Sequence, residues 1–168
     1  VDEPRFHSLS LTPRGGGTGT NGQALTDGIV VDLSRYMKRI IEINPEERWV
    51  KVEAGVIKDE LNLFLKPYGF FFAPELSTSN RATLGGMINT GQGSMVYGKT
   101  SDHVLGVRAV LLGGELLETR AMDTALAENI AQESSAIGKV YRTVLSRCKE
   151  QRKLILEKFP KLNRFLTG

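Results

Sequence analysis

The chain has 168 residues and a formal net charge of +3, enough length for a buried core and too little charge to imply a polyelectrolyte partner. One cysteine, Cys148, leaves no disulfide framework, thiolate-ligated cluster or zinc ribbon, and His7 and His103 stand far apart with no carboxylate cluster, so no metal site is expected. No apolar run approaches the ~20 residues of a membrane span, Val1–Arg5 does not read as a signal peptide, and a reduced, cytoplasmic setting is expected.

Leu9–Pro13 reads as a short strand that delivers the stretch Pro13-Arg14-Gly15-Gly16-Gly17-Thr18-Gly19-Thr20-Asn21-Gly22. Its five glycines tolerate positive φ and close approach, and successive bare N–H groups on such a loop form a nest for phosphate oxygens. Gly17–Gly22 matches G-x-G-x-x-G, but a dinucleotide fingerprint requires a helix directly afterwards. Here Gln23–Gly28 reads as loop and turn, and Ile29–Leu33 as a strand. A Walker loop lacks its Gly-Lys-Ser/Thr, and a kinase glycine loop lacks its V-A-I-K and H-R-D partners.

Ser34–Lys38 reads as a polar turn and Arg39–Ile43 as a second strand. Asn44–Glu47 is a further turn, and Trp49–Ala54 alternates apolar and charged residues as a half-buried strand does. Antiparallel strands joined by short turns are therefore expected. Val56–Tyr68 changes to a helical period, with Val56, Ile57, Leu61, Phe64 and Leu65 on one face and Gly69 as the stop. The aromatic triplet Phe70–Phe72 reads as core.

A second run of small residues spans Pro74–Gly98, with a helix turn expected from Thr83 that aims N–H groups at an anion. Val104–Leu112 reads as a buried strand, turned back by Gly113-Gly114 into Glu115–Thr119 as a two-residue hairpin. Asp102-His103 reads as a loop before that strand, and no acid–base pair is identified as catalytic. From Ala121 onward the chain is expected to be helical, with an apolar stripe of Ile137, Val140, Val144, Cys148, Ile155 and Phe159 ended by Pro160. Cys148 is expected in the core. Lys139, Arg142, Arg147, Lys149, Arg152, Lys153, Lys158, Lys161 and Arg164 crowd this tail. Without interleaved aromatics they read as a solvated face rather than a nucleic-acid patch.

Pro13–Gly19, Thr83-Leu84-Gly85-Gly86, Tyr97-Gly98 and the Val110–Glu115 hairpin resemble, in order and spacing, the FAD-binding domain of the vanillyl-alcohol-oxidase/p-cresol-methylhydroxylase (PCMH) type. The branch they most resemble is that of the D-2-hydroxyacid dehydrogenases, which act on D-lactate, glycolate or D-2-hydroxyglutarate. The whole chain is similar to a segment of large bacterial proteins that fuse this domain to an iron–sulfur domain.

The resemblance implies an α+β fold with an antiparallel sheet flanked by helices, a partial PCMH-type FAD-binding domain over 1–120 and a basic helical insertion over 121–168. It implies cofactor contacts from Arg14, Gly15, Gly16, Gly17, Thr18 and Gly19 to the FAD pyrophosphate. Pro74, Glu75, Ser77, Thr78, Thr83, Gly85 and Gly86 are implied along the flavin and its ribityl-diphosphate arm, and Asn89, Thr90, Gly93 and Ser94 along the same cleft. Thr18 stands where some members carry a histidine tether, so the FAD is expected to be noncovalent. Gly91-Gln92-Gly93-Ser94 departs from the usual Asn-Ala-Gly-Gly. The small hydroxyacid substrate, its cap domain, the electron acceptor and any iron–sulfur cluster are expected outside this segment of a longer flavoenzyme. The alternative is a non-redox nucleotide-binding or interaction module using the basic helix.

Overall fold

Two short strands of unlike composition, Leu-Thr-Pro-Arg and the β-branched Ile-Val-Val-Asp, open the described residues. In the computed structural model, which describes residues 8–159, β1 (Leu11–Arg14) pairs with β2 (Ile29–Asp32) from Leu11↔Ile29 to Arg14↔Asp32. The pairing is parallel, against the antiparallel expectation. The loop from Gly15 to Gly28 explains it: it meets the roughly dozen residues a parallel return needs, whereas a tight turn permits only antiparallel strands. The expected polar turn after β2 is the helical turn α1 (Leu33–Tyr36). Asp32 caps it, its Oδ1 accepting from the Ser34 amide at 3.0 Å and the Ser34 hydroxyl at 2.6 Å. That hydroxyl, reinforced by the amide and by Arg14 and Arg35, holds the Asp32 carboxyl below the usual carboxylate range.

β3 (Ile40–Asn44) and β4 (Trp49–Val52) form an antiparallel pair with Ile40 opposite Val52 and Ile43 opposite Val50. A bulge between Ile40 and Glu42 keeps both isoleucines on the core face and turns Ile41 outward. Behind β4, the Arg39 guanidinium donates to Glu53 Oε1 at 2.9 and 2.7 Å and lowers the carboxyl's pKa.

α2 (Lys58–Leu65) continues as a 3₁₀ turn over Lys66–Tyr68 and lays Val56, Leu61 and Leu65 against the β3–β4 face. Phe64, expected on that face, is exposed. Phe70 and Phe72 join the core, the latter fixed by its amide donating to Asn62 Oδ1 at 2.7 Å. Phe71, expected in the core with them, is exposed edge-on to Tyr97. In an extended segment, alternate side chains leave by opposite faces. α3 (Leu84–Thr90) adds Leu84 to the core, and the short antiparallel pair β5 (Gly93–Ser94) and β6 (Gly98–Lys99) follows.

Packing divides the described residues into two units, 8–103 and 104–159. In the second, β7 (Arg108–Val110) and β8 (Leu116–Glu118) form an antiparallel hairpin. Its turn holds three residues rather than the expected two, because Leu111 N bonds Glu115 O and Gly114, at φ +87°, forms the bulge. The expected buried strand is short and open, with Leu105, Val110 and Leu112 exposed.

Over the described part of the expected helical tail, the chain forms α4 (Thr124–Ile130), α5 (Ala136–Glu150) and α6 (Arg152–Lys158). The inner face of the α4–α5 pair and β8 border an open cleft of about 660 Å³ lined by Leu116, Met122, Leu126, Ile130, Ile137 and Tyr141, among others. Of the predicted stripe, Val140, Val144, Cys148, Ile155 and Phe159 face outward, so Cys148 is not a core residue. Periodicity marked a continuous apolar face, and α4 and β8 cover only part of it. His7, Pro160, Lys161 and Arg164 lie outside the described residues. The described fold is α+β, in four two-stranded sheets, three antiparallel and one parallel, rather than one antiparallel sheet.

Candidate anion-binding site

The site is built where two small-residue segments meet. The first is the loop after β1, the second the chain from Arg81 into α3. A Cβ added to Gly15 would collide with Thr83 Oγ1, and one on Gly16 with the Arg81 carbonyl oxygen. Glycine here lets one backbone rest on another. Gly17 sits at φ +66°, with Arg14 folded beneath it so that Arg14 Nε would lie 3.1 Å from an added Cβ. The backbone N–H groups of Gly16, Gly17, Thr18 and Gly19 have no hydrogen-bond partner among the described residues. Such a run of free donors is the nest that accepts anion oxygens. Just beyond it, Gln23 Oε1 accepts from the Asn21 amide at 3.0 Å and braces the loop tip.

The opposite side of the Arg81–Gly86 segment is clamped by the chain entering α2. Lys58 N donates to Ala82 O at 3.0 Å, Leu84 N to Val56 O at 2.9 Å and Gly85 N to Ala54 O at 2.9 Å. Thr83 is buried and caps α3, its hydroxyl accepting from Gly86 N at 3.4 Å. The segment is therefore fixed between the glycine loop and Ala54–Lys58, and Gly85 and Gly86 open α3 beside it.

The remaining predicted residues are spread along the route to that segment and away from it. Pro74 is fully buried, Glu75 and Ser77 are exposed, and the Thr78 carbonyl accepts from the amides of Arg81 and Ala82, turning the chain into the clamp. Asn89 is exposed on α3, and the Thr90 hydroxyl donates back to Gly86 O at 3.0 Å. Gly93 and Ser94 are buried in the β5–β6 pair, where Ser94 Oγ accepts from the amides of Val96 and Tyr97, at 3.3 Å each. The structure thus brings Gly15, Gly16, Thr83 and Gly86 together, with Arg14 under Gly17.

One neighbour was missed in the sequence. Lys58 opens α2 and is buried, with no ion-pair or hydrogen-bond partner for its ammonium among the described residues. The available signal was its position: the first turn of a helix favours acids over cations.

A family described as "FAD binding domain" matches residues 1–120. The chain is 72% identical to D-2-hydroxyglutarate dehydrogenase of Pantoea ananatis, over 99% of this chain and 16% of that protein. It is 70% identical to the Escherichia coli D-2-hydroxyglutarate dehydrogenase, over 99% of this chain and 17% of that protein. It is 34% identical to glycolate oxidase subunit GlcD of Bacillus subtilis, over 67% of this chain and 25% of the subunit. The chain therefore spans about one sixth of the length of the dehydrogenases it matches over nearly all of its own.

Proposed function

The chain belongs to the FAD-binding-domain family, and from that premise we propose that its glycine loop grips the diphosphate of a noncovalently held FAD. The observation that carries this reading is the run of free N–H groups from Gly16 to Gly19, in a loop anchored by Gly16 on the Arg81 carbonyl and by Gly15 on the Thr83 side chain. Arg14 adds a cation to the same loop, and a guanidinium beside a nest of amides suits a phosphate oxygen. Gly15 holds the loop down on Thr83. Thr18, which cannot form the histidine tether, leaves the cofactor exchangeable.

Along the ligand, Thr83, Gly85 and Gly86 follow the ribityl-diphosphate arm together with Pro74, Glu75, Ser77 and Thr78. Asn89, Thr90, Gly93 and Ser94 line the end toward the ring. Residues 1–120 form the FAD-binding part and 121–168 a basic helical insertion. Hydride acceptance from the substrate carbon is the chemistry the bound flavin supplies; these residues hold and orient it.

The whole protein, in this reading, is a cytoplasmic dehydrogenase of a small D-2-hydroxyacid, with D-2-hydroxyglutarate as the substrate indicated by the relatives' names. The groups that bind substrate and remove its proton lie in other segments, as do the contacts to an electron acceptor and any iron–sulfur centre. Among the described residues no group of three or more His, Cys, Asp or Glu could hold a metal, and no helix is long and apolar enough to cross a membrane.

The test is anaerobic addition of D-2-hydroxyglutarate to a purified full-length polypeptide carrying this segment. The flavin absorbance is expected to bleach within seconds, with D-lactate far slower. Faster bleaching by D-lactate would move the substrate assignment, and a colourless protein that takes up no FAD would refute the reading.

A further inference from the structure

Lys58 has only 5% of its surface exposed. No carboxylate, carbonyl or ring accepts its ammonium among the described residues, and no wholly buried side-chain nitrogen is left unpaired there. The stem is therefore packed along its length while Nζ still touches solvent, so the charge is held at one place without a partner. Two costs act against it. Burial disfavours an uncompensated cation, and the first turn of α2 presents its positive end to the same side chain. A lysine at this position is disfavoured on both counts unless an anion compensates it.

Its surroundings indicate where that anion lies. Lys58 N is bonded to Ala82 O, and Ile57 bridges Thr83. Gly16 rests on the carbonyl of Arg81 and Gly15 on the hydroxyl of Thr83. The start of α2 and the start of the glycine loop, Gly15 and Gly16, thus flank the same three residues. The Arg81–Thr83 segment lies between the two, about one paired-segment spacing of ~4.8 Å from each, so an anion seated on the loop amides and over that segment comes within reach of an extended lysine. The neighbouring acids are occupied elsewhere: Asp59 accepts from the Ser79 hydroxyl at 3.0 Å, and Glu60 pairs with Lys38 at 3.9 Å.

We propose that the Lys58 ammonium is the fixed cation of this site and donates to a phosphate oxygen of a diphosphate ligand, inorganic pyrophosphate or the diphosphate of a dinucleotide. The inference rests on the reading of the glycine loop as a diphosphate grip. It adds a charged side chain to a cradle otherwise made of backbone amides and Arg14. The amides set the position of the phosphates, and Lys58 selects for their charge.

The test compares the chain with its Lys58→Met variant, which keeps most of the stem and removes the charge. Binding of FAD and of inorganic pyrophosphate is measured by equilibrium dialysis, with thermal melting of the ligand-free proteins alongside. The variant is expected to melt higher without ligand, because an uncompensated charge is gone, yet to bind both ligands roughly ten- to a hundredfold more weakly. Unchanged binding of both would overturn the role of Lys58 while leaving the diphosphate reading in place. A wild-type chain that binds neither would overturn both. Should the variant fail to fold, acetylation of Lys58 in the wild-type chain gives the answer. Pyrophosphate is expected to slow it at least severalfold by mass spectrometry, and labelling that ignores pyrophosphate would refute the proposal.

Discussion

Gly16→Ala is expected to lower FAD affinity by more than tenfold and to cost about 1–3 kcal/mol of stability. The methyl group would collide with the Arg81 carbonyl oxygen, which is main chain and cannot rotate away. Either the glycine loop lifts or the Arg81–Gly85 segment shifts, and that segment is already tied to Ala54, Val56 and Lys58 by three backbone hydrogen bonds, at Ala82, Leu84 and Gly85. The loop should give way, taking the free amides of Gly16–Gly19 out of alignment. FAD titration and urea denaturation of the same preparation measure both effects. Gly113→Ala is the matched control, since a methyl there meets nothing within 4 Å. Equal behaviour of the two variants would show that the close contact at Gly16 has no consequence.

Leu61→Ala should produce the largest loss of stability, about 2–5 kcal/mol. Leu61 is 1% exposed and stands in the cluster with Val56, Leu65 and Leu84, against Ile43 and Val50 of the β3–β4 pair. Truncation removes apolar burial and leaves a cavity that the β-branched neighbours are too stiff to fill. Against a domain stability of ~5–15 kcal/mol the loss is severe. The same cluster carries Leu84, the first residue of α3, so anion binding should weaken together with stability. Leu112→Ala, at a fully exposed leucine, should change the urea midpoint little.

What could be read from the sequence followed the range of the interactions involved. The helix after Val56 and the helix turn opening at Thr83 were legible because a period and a run of small residues are local. The direction of β2 was not. Short turns further along favour antiparallel pairing, whereas the Gly15–Gly28 loop is long enough to return the chain parallel, and only the paired strands show which holds. The stripe on α5 and α6 was found correctly as a pattern, but a pattern does not say what covers it, and Cys148 turned out to be exposed.

The site was legible in a similar way. Its glycines identified the anion cradle, yet the reason assigned to them changed. Gly15 and Gly16 are glycine because residues far along the chain, Arg81 and Thr83, press against them, and the amides of Gly16–Gly19 stay free for a ligand. That contact joins segments no motif links. Lys58 escaped notice between Ile57 and Asp59 because its burial depends on the same tertiary clamp.

The central claim is that this chain holds a diphosphate, and it is tested most directly by comparing FAD with riboflavin in equilibrium dialysis against the wild-type protein. The two share the isoalloxazine ring, and only FAD carries the diphosphate and the nucleoside beyond it. FAD is expected to bind, weakly and in a one-to-one ratio, to be displaced by inorganic pyrophosphate, and to leave riboflavin without measurable affinity. Equal binding of the two flavins, or FAD binding indifferent to pyrophosphate, would contradict the claim that Gly16–Gly19 grip the phosphates.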